Sequence, residues 1–144
     1  MTKENADVPW LDFCRHGMQY RNTAERSLKR SEIFKPDIIY NLAAMAIEKI
    51  LMAAFTVHGN LPYSHTLSEM AAAAKDILAL DENLVSDMEQ MDRMQMICHE
   101  ESAFYEEMKE ADIPFFIDVM NRVFDKAEAY ITGKGVVAEW EEVR

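Results

Sequence analysis

Met45-Ala46-Ile47-Glu48-Lys49-Ile50-Leu51-Met52-Ala53-Ala54-Phe55, followed after a short break by Ser64-His65-Thr66-Leu67, decides how this chain folds. A helix that is apolar nearly all round belongs in an interior, and here only the Glu48-Lys49 pair interrupts the apolar surface. Upstream and downstream of the pair, Ile39, Ala43, Ala46, Ile50, Ala53 and Val57 recur at alternating four- and three-residue steps, the spacing of bundle packing. Leu42, Met45, Leu51 and Phe55 widen the apolar arc. Pro36 suits a first helical turn, Gly59 or Asn60 is a natural stop, and Pro62 cannot continue the helix. The most buried helix is therefore expected between Pro36 and Gly59.

Working outward, a first helix is expected from about Trp10 to Lys29, with Trp10, Cys14, Met18, Arg21 and Leu28 near helical spacing and Gly17 weakening its middle. Thr66-Leu67-Ser68-Glu69 has capping-box spacing and opens a third helix running to about Leu80. Asp81 caps a fourth and longest helix carrying Leu84, Met88, Met91, Cys98, Tyr105 and Met108. Asp112 precedes a fifth, with Phe116, Val119, Met120, Val123, Ala127 and Tyr130 on one face and Gly133 and Gly135 at its end. No segment alternates apolar and polar residues as a strand does. Short connections between long helices imply antiparallel neighbours. The expectation is one domain over residues 1–144: an all-α, up-and-down antiparallel bundle of four main helices plus one additional helix. Its core spans about residues 9–132, and residues 133–144, with Trp140, form a tail.

Composition agrees. The chain has 144 residues, 49% of them hydrophobic, with 4 Gly, 4 Pro and 11 Met. That balance describes a compact helical globule rather than a disordered chain. Cys14 and Cys98 are too few for a disulfide framework and lack metal-site spacing, which points to a reducing cytoplasm. Residues 1–5 carry no apolar signal core. The apolar run from Ile38 to Val57 includes Asn41, Glu48 and Lys49, which argues against a membrane span.

The net charge of −11 is unevenly spread. Residues 15–35 hold Arg15, Arg21, Arg26, Lys29, Arg30 and Lys35, whereas residues 76–112 carry twelve carboxylates against Arg93 and Lys109. Overall acidity disfavours an autonomous binder of nucleic-acid phosphates. The basic face of the first helix either meets phosphate or an acidic partner, or complements the acidic face within the chain or across a dimer.

A di-metal bundle needs Glu-x-x-His pairs, but the residues three before the histidines are Phe13, Phe55, Pro62 and Met96. His58 and His65 flank the Gly59–Ser64 loop without a third or fourth ligand nearby, so they read as a helix-terminus histidine and a capping or loop-anchoring one. No Gly-rich phosphate loop and no serine-nucleophile elbow is present. No metal or cofactor is expected. There remains Arg93-Met94-Gln95-Met96-Ile97-Cys98-His99, in which an arginine could stabilise phosphorane-like charge and a histidine shuttle the proton of a 2′-hydroxyl. On an unbroken helix, six positions at ~100° each set the two side chains about 120° apart, so convergence needs a helix break or a dimer. The structural reading pairs Arg93 with Glu89 one turn earlier.

Taken in order, several of these stretches resemble the HEPN (higher eukaryotes and prokaryotes nucleotide-binding) family. Trp10-Leu11 opens the first helix as in that family. Ala46-Ile47-Glu48-Lys49-Ile50-Leu51 is similar to its Ala-x-Glu-Lys-x-Leu signature, Gly59 to Pro62 with His65-x-Leu67 to its loop and His-x-Leu, and Met91-Asp92-Arg93 to a Leu-Asp-Arg that starts its late motif. Two positions depart: Met52 stands where a lysine commonly follows the Glu-Lys pair, and Met94 where nuclease members favour a polar residue. The resemblance implies a helical, metal-independent domain, and for its nuclease members an arginine and a histidine four to six residues apart, here Arg93 and His99, meeting in a dimer cleft.

Three functions compete on this basis. The first is a nucleotide- or RNA-associated interaction domain, partnering a small nucleotidyltransferase as single-domain relatives do. The second is a toxin-like, metal-independent endoribonuclease using Arg93 and His99, and the third a structural dimerisation module. A homodimer is expected from the soft, Met-rich fourth helix, with no membrane association.

Overall fold

The computed structural model describes residues 9–30, 32–62, 64–97 and 107–134, of which 81% are helical with no strand. Five helices follow in order: α1 (Pro9–Ser27), α2 (Pro36–His58), α3 (Leu67–Ala74), α4 (Glu82–Ile97) and α5 (Ile113–Gly133). Single 3-10 turns, Leu28–Arg30 and Glu110–Asp112, follow α1 and precede α5. Cys98, Tyr105, Gly135 and Trp140 lie outside the described residues.

α2 is the central rod. Lys35 is extended ahead of Pro36, as a residue before proline must be, and Gly59 ends the helix at φ 101° with its N–H on the Phe55 carbonyl. Ile39, Ala43, Ala46, Ile50 and Ala53 have no exposed surface, and Leu51 and Phe55 are buried beside them. By length and composition alone α2 could cross a membrane, yet 61% of its apolar window is covered by the rest of the molecule. The core helix of a bundle meets the same criteria.

α1 lies along α2 after a short turn. Gly17 sits where α1 packs directly on the α2 backbone: a Cβ there would come within 3.3 Å of the Ile50 nitrogen. The glycine that weakens α1 as an isolated helix is what lets α1 dock. α2 and α5 run in the same direction, since Tyr40 meets Phe116 edge-on at 5.1 Å near their starts and His58 meets Tyr130 near their ends. α4 runs against α5: Asp87 pairs with Arg122, while Tyr40 beside Phe116 donates its hydroxyl to the Met91 carbonyl at 2.9 Å. Burial alone would lower the Arg122 pKa, but the bonds and charges of Asp87 and Asp118 outweigh it and raise the value.

Three local details differ from the sequence reading, the first being that Met108, expected on the fourth helix, is buried outside any helix, just before the turn at Glu110. α3 ends at Ala74 rather than near Leu80. Beyond it the chain continues as a turn closed by Ala79 in the left-handed region, φ 53°, with Leu80 N–H returning to the Lys75 carbonyl at 2.9 Å. Leu78 and Leu80 are buried by that closure, so their apolar signal belongs to a helix-ending motif and not to more helix. Met88 and Met91, of the Met-rich helix expected to offer a soft surface, are fully buried in the chain's own core.

Candidate functional site

One face of α2, including Asn41 and Glu48 that interrupt its apolar pattern, forms a wall of a cleft. Asn41, Ala44, Met45 and Glu48 recur at three- and four-residue steps and so share a helix face. Opposite them stand Asp92 and Gln95 of α4, three residues apart, and His65, Thr66 and Leu67 from the start of α3 close the end. The cleft holds about 400 Å³.

Its framework is built from carboxylates. Asp92 accepts from the backbone N–H groups of Leu67 at 3.2 Å and Ser68 at 2.6 Å, and from the Ser68 hydroxyl. The first turn of α3 thus gets its missing acceptors from another helix, and a negative charge sits at the favourable end of its dipole. Thr66 adds the expected cap, its hydroxyl accepting from Glu69 N–H at 3.2 Å. Glu48 Oε1 lies 3.0 Å from His65 Nδ1, pinning the α2–α3 loop to the central helix. A carboxylate only accepts, so Nδ1 carries the proton of this bond, and Nε2, on the other edge of the ring, has no bond among the described residues. The His65 side chain is 50% exposed and that of Glu48 26%, which keeps both within reach of solvent-borne molecules.

Of the two residues expected to act together, Arg93 is exposed on α4 and His99 lies outside the described residues. Arg93 does not line the cleft, because each helical position turns ~100° and only Asp92 and Gln95 face it. Its guanidinium reaches Gln90 rather than Glu89, with Nε at 3.1 Å and Nη2 at 2.7 Å from the amide oxygen. Among the described residues no three His, Cys, Asp or Glu side chains converge as metal ligands. His58, at the last residue of α2, places Nδ1 3.0 Å from the Tyr130 hydroxyl.

The basic stretch divides by role. Arg21 turns inward, bonding Asn121 at 3.1 Å and lying 4.8 Å over the Phe124 ring, and Arg15 pairs with Asp12. Arg26, Lys29 and Arg30, with Asn22 and Glu25, line an open groove at the end of α1. Cys14 is buried, and desolvation pushes its thiol up to about 12, so it is a core group without nucleophilic character.

The Glu48–His65 and Asp92–Ser68 contacts are the parts of this site that pattern reasoning did not assemble. Their signal was present only as polar residues breaking apolar faces. No family model, curated protein or solved structure matches the chain.

Proposed function

We propose that this chain is a HEPN-like helical module, a nucleotide- or RNA-associated interaction domain whose ligand face is the cleft between α2, the start of α3 and α4. The observation that carries the reading is the make-up of that cleft: an apolar floor of Ala44, Met45 and Leu67 rimmed by the Asn41 and Gln95 amides and the Glu48–His65 couple. An apolar surface with a few convergent hydrogen-bonding groups is how pockets hold a flat heterocycle, and unstacked bases are read by their edges in this way. No lysine or arginine lines the cleft, so the base enters it and the phosphate stays outside.

The proposal includes a homodimer and a small nucleotidyltransferase as partner protein, in the cytoplasm. The methionines buried inside the chain remove one motive for self-association, and sedimentation tests it directly. Thermal-shift and calorimetric titration with nucleosides, nucleotides and short single-stranded RNA tests the ligand. Binding that weakens when Asn41 and Gln95 are replaced by alanine supports the reading; no binding by any of these ligands sinks it.

A second reading, the metal-independent endoribonuclease using Arg93 and His99, is favoured by one observation. The Arg93 guanidinium is exposed and held by a neutral amide, not by a carboxylate, so it is available to a phosphate. RNA cleavage in chelator, lost in Arg93→Ala and His99→Ala, would establish it.

A further inference from the structure

The hydrogen-bonding groups of the cleft narrow the ligand. Both oxygens of Asp92 accept from the first turn of α3, Oδ1 one bond and Oδ2 two, the Tyr40 hydroxyl donates to Met91, and Thr66 accepts from Glu69. Among the described residues, nothing bonds the side-chain amides of Asn41 or Gln95, or the second oxygen of Glu48. The groups left for a ligand are therefore two amides, the Glu48 carboxylate with one lone pair of Oε1 used, one edge of an imidazole, the Thr66 hydroxyl proton and one lone pair of Asp92 Oδ1.

We propose that the cleft selects guanine, with the edge bearing N1–H and the 2-amino group on Glu48 and an amide of Asn41 or Gln95 donating to O6. This rests on the reading of the cleft as a base-binding site and adds the identity of the base. The carboxylate makes the selection. An ionised carboxylate has no proton to give, so the facing edge must supply donors. Guanine has two adjacent N–H donors on one edge, with an acceptor beside them for an amide. Adenine sets its N1 lone pair next to its one amino group and would press that lone pair against Glu48. Cytosine has the same defect at N3, and uracil flanks its only N–H with two carbonyl oxygens. His65 is a positioning residue here: its bond takes one lone pair of Oε1 and holds the carboxylate in place, leaving Oε2 and the second lone pair of Oε1 for the two guanine donors. Met45 and Leu67 offer an apolar, polarisable surface to the ring face.

The field agrees with a base and not a phosphate as the inserted end. Glu48 and Asp92 stand in the cleft, no lysine or arginine does, and the whole chain carries −11. Guanosine therefore binds at least as tightly as guanosine monophosphate at low ionic strength.

The test is a calorimetric titration of the full chain with guanosine, inosine, adenosine, cytidine and uridine. The expected result is a preference for guanosine over adenosine on the order of tenfold to a hundredfold, the discrimination of a good bidentate contact. Inosine, lacking the 2-amino group, falls between them. In Glu48→Gln the preference collapses while the circular dichroism spectrum is unchanged. Since the ranking is read first on the unaltered protein, a misfolded variant does not rescue the idea. RNA pentamers with a central guanine or a central adenine carry the comparison to a strand, and the tighter of guanosine and the guanine pentamer names the natural source. If all nucleosides bind equally, or adenosine binds best, guanine selection is overturned and base binding stands. If none binds, both fall.

Discussion

Ser68 gives both its backbone N–H and its hydroxyl to one carboxylate, that of Asp92, twenty-four residues further along the chain. A short helix of eight residues has little stability of its own, and four orphan N–H groups at its start need acceptors. Asp92 supplies two of them from α4, for Leu67 and Ser68, and Thr66 serves Glu69 and Met70, so α3 and the cleft it closes depend on α4 being in place.

Asp92→Ala is expected to cost about 2–4 kcal/mol, since it strands partly buried donors at a helix start. Asp92→Asn should cost less, because the amide oxygen still accepts. Chemical denaturation measures both, and hydrogen exchange should show faster exchange in residues 67–74 than in the rest of the bundle. A loss confined to a few tenths of a kcal/mol would mean that α3 is held by its apolar face alone.

Gly17→Val is expected to destabilise the fold by about 1–3 kcal/mol through overpacking, because the atom it meets is the backbone nitrogen of Ile50, which cannot rotate aside. Gly133→Ala provides the contrast. Nothing lies within 4 Å of a Cβ there, so the change should be neutral or slightly stabilising by thermal melting.

Ala79→Gly should raise the melting temperature. Ala79 holds φ 53°, a conformation that costs an L-residue about 1 kcal/mol and glycine almost nothing. For a chain of this size that corresponds to a rise of about 2–4 °C. A fall would show that the entropy glycine adds to the unfolded chain outweighs the relieved strain.

Cys14 should resist thiol reagents at pH 8 in the native protein and react at once in denaturant, measured in a Cys98→Ser background. The folded thiol holds its proton up to about 12, against an ordinary value of 9.0. The folded state therefore binds this proton more tightly. The corresponding stability is fully present below pH 9 and is lost as pH rises from 9 toward 12. Cys14→Ala should show a shallower decline over that window.

How much of this was legible depended on distance along the chain. Pro36 and Gly59 bracket α2 as read, Thr66 caps α3 and Asp81 accepts from Leu84 N–H at 2.8 Å, because starts and stops involve partners within four or five residues. The apolar stripe of α2 was also readable, since burial on every side leaves no polar face to conceal it. The end of α3 was misjudged because Leu78 and Leu80 are apolar for a turn's sake, and periodicity does not distinguish the two uses.

By itself, then, the sequence determined that the described chain is helical, where its helices begin, and which of them lies deepest. Tertiary structure alone decided that Glu48 would meet His65, that Asp92 would cap a helix in another part of the chain, and that Tyr40 would bridge Phe116 and Met91. The physical reason is that hydrophobic burial is non-directional. An apolar stripe states that a face must be covered but not by which neighbour, so the polar groups brought together at its margins are known only once the helices have packed.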